Sequence, residues 1–293
     1  MTAVSGAAPG AKSRDARLAP LITTLLALYA RPEGNWLSVA SLISLMAEVG
    51  ADPQAVRSSI SRLKRRGVVL GERNRGAAGY TLAGETLEVL AEGDVRIFER
   101  RRARVEDGWL VVVFSVPESE REKRHALRTG LTRLGFGTAA PGVWVAPGNL
   151  ESETRHTLER RHLTGYVDMF RGEYLAFGDP RTKVREWWPL DELTGLYAEF
   201  LDRYRPVLDR VASSTDPREA FATYLPMLTH WRRLPYRDPG LPLPVLPPEW
   251  AGESAGALFD ELNQVLGPLA DKHAMAVIHG DDDTGPAPLR LSP

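Results

Sequence analysis

The residue types that could carry covalent or metal chemistry are few and scattered in these 293 residues. Six histidines and no cysteine are present, which removes disulfides, thiol catalysis and thiolate metal sites. His156 and His162 stand six apart on an expected helix and face different ways. His125, His230 and His273 have no second histidine at metal spacing, and His279 meets Asp281–Asp283 only in a terminal tail. They read as ordinary surface or core histidines. No glycine-rich phosphate loop follows a strand, and no Gly-x-Ser-x-Gly elbow occurs. The sequence therefore reads as a non-enzyme without cofactor or metal.

What remains is charge. Between residues 52 and 75 seven basic residues (Arg57, Arg62, Lys64, Arg65, Arg66, Arg73, Arg75) face only Asp52 and Glu72, whereas the whole chain carries −1. Positive charge is thus local, as at a phosphate-binding surface. The stretch DPQAVRSSISRLKRRG predicts a helix, with Asp52 as cap, Pro53 in the first turn and Gly67 past the end. At helical spacing Val56, Ile60 and Leu63 form an apolar stripe, and Gln54, Ser58, Ser61 and Arg65 fall opposite. Arg57 and Lys64 flank that second stripe on one side and Arg62 on the other, where long cations reach phosphates on both walls of a major groove. Serine and glutamine at the centre permit close approach to base edges. Beyond Gly67, Val68-Val69-Leu70 and Tyr80-Thr81-Leu82 bracket GERNRGAAG, a hairpin whose basic tip presents Arg73 and Arg75. The competing reading is a solvated amphipathic helix ahead of a surface hairpin.

The elements that position this stretch come on both sides. PLITTLLALY predicts a buried first helix from Pro20 to Tyr29; a second follows Ser38 with Leu42, Leu45, Met46 and Val49 inward, ending at Gly50. Two helices, a turn, the basic helix and a hairpin give a winged helix-turn-helix at 18–98. Arg96, Arg100, Arg101, Arg102 and Arg104 then form a second basic run, either a phosphate contact or a solvated linker.

From Trp109 the run WLVVVFSV has buried-strand character. Expected helices at 118–134 and 151–163 alternate with strands around Val143-Trp144-Val145 and 166–177, giving β-α-β-α-β with room for one short extra strand. This predicts a ferredoxin-like domain at 99–180, whose free edges suit dimerisation. Residues 181–279 predict an α-helical domain: a start at Trp187-Trp188-Pro189, a kink or end at Pro206, a possible kink at Pro226, and a last helix from Ala255 to His273 interrupted at Gly267-Pro268. The segment 234–250 holds six prolines among Leu, Val and Trp, so it is expected to be irregular but packed. Residues 1–17 and 280–293 are expected to be mobile tails. The fold class is α+β: N-terminal winged helix-turn-helix, ferredoxin-like α/β middle domain, α-helical C-terminal domain.

DPQAVRSSISRLKRRG, WLVVVFSVPE and RRLPYRDPGLPLPVLPPEW together resemble the PaaX family of bacterial transcriptional repressors over about 20–275. The resemblance implies a homodimer on an inverted-repeat operator of a phenylacetic-acid-type catabolic operon, released by phenylacetyl-CoA or another acyl-CoA. It implies DNA contact at the recognition-helix and wing positions, and names no effector residues. The middle domain is also similar to the metal-dependent nuclease domain of CRISPR spacer-acquisition proteins. That family has an aspartate at the end of the first strand; here Ser115 stands there, a poor ligand for a hard cation.

For an effector, Arg185, Trp187, Trp188, Arg218, Trp231 and Arg232 are the candidates, since arginines suit phosphates and indoles stack on rings. The same tryptophans equally suit packing anchors. The alternatives to a repressor are a metal-dependent nuclease targeted by the head and a partner module with a degenerate head. Composition (43% hydrophobic, 26% charged) is that of a soluble globular chain, and no run spans a membrane, so a cytoplasmic protein is expected.

Overall fold

Ser38 and Asp52 are short oxygen-bearing residues placed just ahead of apolar-periodic runs, and both serve as helix caps. In the computed structural model, which describes residues 18–99, 101–175, 177–211 and 216–280, Ser38 accepts from the Ser41 amide and Asp52 from the Ala55 amide. The head begins with α1 (residues 18–25), which widens into a π turn at Leu26–Ala30. β1 (Leu37–Ser38), α2 (Val39–Glu48) and α3 (Pro53–Arg65) follow. Ile22, Leu25, Leu42, Leu45, Val56 and Ile60 are all at most 2% exposed, so the three helices share one core. Burying an aliphatic side chain stabilises by about 1.5–3 kcal/mol, which far outweighs any single cap.

The hairpin is longer and tighter than its sequence suggests. β2 (Val69–Asn74) and β3 (Ala77–Leu82) pair throughout, from Val69↔Leu82 to Asn74↔Ala77. Arg75 and Gly76 alone make the turn, at φ +48° and +83°. Two successive left-handed residues are what a two-residue hairpin loop needs. β1 completes the three-stranded sheet on the other side of β3. Trp36 lies flat on Gly79, where an added Cβ would stand 2.3–2.5 Å from the indole. Asn35 closes the end of β3 by donating to Leu82 O (2.9 Å) and accepting from Leu82 N (3.2 Å). α4 (Gly84–Asp94) carries buried Asp94, paired with Arg31 at 2.7 Å.

The middle domain has the strands β4 (Trp109–Phe114), β5 (Gly137–Ala140), β6 (Val143–Pro147) and β7 (Val167–Gly172), with α5 (Arg121–Arg133) and α6 (Glu151–Arg160). Sheet order is β5-β6-β4-β7, with every neighbouring pair antiparallel. The expected extra strand is β5. Leu110 and Val112 of β4 pack with Leu131, Leu134, Phe136, Trp144 and Ala146, while Trp109, Val111 and Val113 on the other face stay half-buried. The run therefore alternates and is not buried throughout, because the α5 and α6 layer lies on one side. Tyr166 donates to Glu120 at 2.8 Å, tying the start of β7 to the approach to α5, and that bond pushes the phenol pKa up.

The C-terminal helices depart from the sequence reading. A short α7 (Pro180–Trp187), capped by Asp179, precedes the expected start, so Trp187 ends a helix and does not begin one. α8 (Leu190–Val211), α9 (Pro217–Trp231) and α10 (Ala251–His279) continue without a break through Pro206, Pro226 and Pro268. A proline removes one helical hydrogen bond, but neighbours such as Tyr204, Val207, Leu225, Met227, Leu266 and Ala270 are buried, and packing holds each helix together. The proline-rich segment is irregular with one 3-10 turn, and Leu241, Leu246 and Trp250 are buried as expected.

The chain packs into two units. One holds the described residues through Asp94 with those of Tyr204–His230 and from Leu258 on; the other holds those of Val95–Arg203 and Trp231–Ala257. The helices of 181–279 thus contribute to both. In the first unit Tyr29 meets Phe221 (5.9 Å), Tyr224 donates to Asn263 (2.7 Å) and Arg218 pairs with Glu48. In the second, Arg96 forks onto Glu153 and Arg102 pairs with Glu253 and Asp238. Those two arginines of the second basic run are therefore structural, and Arg100, with residues 1–17 and 281–293 of the expected tails, lies outside the described residues.

Candidate nucleic-acid interface

α3 turns Val56, Ser59, Ile60 and Leu63 into the core, so the opposite side must face out. Ser59 was not part of the expected packing stripe; small enough to fit there, it is 1% exposed. Gln54, Arg57, Ser58, Ser61, Lys64 and Arg65 are exposed and Arg62 is half-buried. Arg73 and Arg75 are exposed on the wing. All nine expected contact residues thus lie on α3 and the β2–β3 hairpin, and eight are exposed.

The electrostatics favour a phosphate ligand. Arg57, Lys64, Arg65, Arg66, Arg73 and Arg75 make no ion pair with any described residue, and all six are exposed. A protein stabilising itself with surface charge would interleave acids, as the body does at Arg124–Glu118 and Lys183–Glu186. Lys64 lies across the wing, its Nζ 3.2 Å from where a Cβ on Gly71 would stand. A side chain at 71 would push that cation aside. Arg66 belongs with the set and was overlooked as a contact because it stands at the helix C-cap.

Comparison with known proteins agrees with this geometry. Residues 17–86 match the family described as PaaX-like protein, 102–184 the PaaX protein central Cas2-like domain, and 188–276 the PaaX-like protein C-terminal domain. The chain belongs to the PaaX family. Transcriptional repressor PaaX of Escherichia coli (strain K12) is 24% identical over 256 residues, covering 85% of this chain and 80% of that one. Among solved structures, the uncharacterized protein Rv0674 from Mycobacterium tuberculosis superposes with a TM-score of 0.53 at 24% identity, over 86% of this chain and 95% of that one, which shows the fold.

The six effector candidates are divided between the two units. Arg218 pairs with Glu48 in the first unit, a contact that raises its pKa, and the other five belong to the second. Trp188, 4% exposed, donates to Gly135 O at 2.8 Å and lies on Gly137. Trp231, 1% exposed, donates to Ile97 O at 3.1 Å and meets Phe200 at 5.0 Å. Trp187 stands edge-on to Trp109 (5.7 Å) and Tyr174 (5.2 Å). These indoles anchor the PaaX C-terminal segment by packing. Arg185 is exposed and lines a surface cavity of about 520 Å³ with Arg181 and Leu246–Pro248; Arg232 is half-buried and engaged.

At the end of β4 the donor set does not fit a divalent cation. Ser115 shares its cavity with Arg124 and Arg128 and with no carboxylate. No group of three or more His, Asp or Glu residues with metal-holding geometry occurs among the described residues.

Proposed function

We propose that this PaaX-family protein is a DNA-binding transcriptional repressor, acting in the cytoplasm where its operator is. The observation that carries the reading is the row of unpaired, exposed cations around Gln54, Ser58 and Ser61 on a capped helix beside a basic wing. The name of the Escherichia coli relative supports the repressor role. Ser58 and Ser61 approach base edges, Arg65 reads a guanine, Arg57, Arg62 and Lys64 hold phosphates, and Arg73 and Arg75 bind the backbone from the wing.

Two copies set two heads on an inverted repeat. The unpaired edge strand β7 with Phe170 59% exposed supports a partner copy on the middle domain. The effector is an aryl-CoA thioester such as phenylacetyl-CoA, and it releases the operator only by binding the two dimer geometries differently. The regulated operon is catabolic.

The test is a mobility shift on the duplex upstream of the protein's own gene, with and without phenylacetyl-CoA. A specific shift reversed by the thioester and not by phenylacetate is the expected result. Cleavage of the duplex by protein with Mg²⁺, abolished by chelator, would establish the nuclease reading instead.

A further inference from the structure

The cavity at the end of β4 is lined by two arginines and by no carboxylate. β4 ends at Phe114, and Ser115 opens into a cavity of about 560 Å³. The β5–β6 turn lines it together with Arg124 and Arg128 of α5, and Phe114 and Trp144 give the lining its aromatic part. The β5–β6 ladder passes from Thr138↔Trp144 to Ala140↔Val143, so Ala139 is bulged out at the rim. Bulges of this kind re-aim backbone and side chains beside sites.

Of the polar groups lining this cavity, one is held by the protein and three are not. Arg124 is fixed in place by Glu118 Oε2 (2.9 Å) and Val116 O (2.8 Å). Arg128, one turn further along α5, is exposed and makes no hydrogen bond or ion pair with any described residue. The hydroxyls of Ser115 and Thr138 likewise have no partner among the described residues. A cation beside two free hydroxyls and an aromatic lining has the chemistry of an anion site and repels a divalent metal.

The geometry points to a binding site for a small organic anion, with its phosphate or carboxylate between Arg128, Ser115 and Thr138 and its apolar part against Phe114 and Trp144. The volume lies within the range of small-molecule sites, roughly 300–1,000 Å³. Duplex DNA could touch Arg128 from outside but has no use for the aromatic lining, which favours a small ligand. Anion binding here is independent of the repressor reading; its use to release an operator rests on that reading.

Calorimetric titration of the full chain with coenzyme A, with phenylacetate and with a random duplex tests it, using wild type, Arg128→Gln, Thr138→Val and Arg185→Gln. Arg128 and Thr138 are exposed, so the variants should melt with the wild type. The expected result is that coenzyme A or phenylacetate binds, and that Arg128→Gln weakens it roughly tenfold or more with a smaller loss in Thr138→Val. No binding of either small anion, binding unchanged in Arg128→Gln, or loss confined to Arg185→Gln would each overturn the site. Loss of duplex binding alone in Arg128→Gln would make this a nucleic-acid contact and also overturn it. A mobility shift that fails while calorimetry succeeds refutes the repressor reading and leaves the cavity standing.

Discussion

The wing can be discharged without disturbing its fold. Arg73 is an exposed strand residue, and Arg75 sits at φ +48° in the two-residue turn, a conformation asparagine accepts readily. Arg73→Gln with Arg75→Asn therefore removes two charges, and stability should change by no more than about 0.5 kcal/mol. Each head presents six unpaired exposed cations on α3, its C-cap and the wing: Arg57, Lys64, Arg65, Arg66, Arg73 and Arg75. If the five placed on phosphates (Arg57, Arg62, Lys64, Arg73 and Arg75) each neutralise one, log K falls with log salt at a slope of roughly −4.5 per head, about 2.7 decades between about 50 and about 200 mM salt. With the three left after the double substitution the slope is roughly −2.7, about 1.6 decades over the same interval. Fluorescence anisotropy on a labelled operator half-site across a salt series reads both slopes. An unchanged slope in a variant that melts like wild type would show that the wing does not touch DNA.

Three further changes test the scaffold. Asp52→Ala removes the α3 cap and should lower stability by about 1 kcal/mol in urea denaturation; no change would mean that α3 is held by packing alone. Gly79→Ala places a Cβ 2.3–2.5 Å from the Trp36 indole and should destabilise by about 1–3 kcal/mol, partly relieved by Trp36→Val. Normal stability of the single variant would refute the close packing of Trp36. Trp188→Phe leaves the buried Gly135 carbonyl without its donor and should lower the denaturation midpoint by the equivalent of about 1–3 kcal/mol at unchanged m; a change in m instead would point to an altered denatured state.

The head was legible because its signals are local. Caps at Ser38 and Asp52, Gly67 past the end of α3 and the 3.6-residue stripe each depend on a few neighbouring residues, and all appear where the sequence puts them. The wing's length was less so, since Arg75 gives no sign in sequence that it will adopt positive φ. The middle domain's order of elements could be read, but the half-buried face of β4 could not: Trp109, Val111 and Val113 have the same types as their buried neighbours, and only the side on which α5 and α6 pack separates them.

The C-terminal third differs from its sequence reading for a physical reason. Proline's local cost suggests ends or breaks, whereas long-range burial keeps α8, α9 and α10 continuous through Pro206, Pro226 and Pro268. The six aromatic and cationic effector candidates share residue type but fall in both units, a division that residue type does not reveal. Arg128 escaped notice because one arginine on a charged helix looks like any other until the cavity it faces is known.

Whether α3 reads base sequence is decided by one ratio: affinity for the duplex upstream of the gene divided by affinity for random duplex, in wild type and in Arg65→Ala. A clear preference is expected in wild type, shrinking by about tenfold or more in Arg65→Ala, equivalent to about 1–3 kcal/mol at the base it contacts. A wild-type ratio near one, or a ratio untouched by Arg65→Ala, would contradict it.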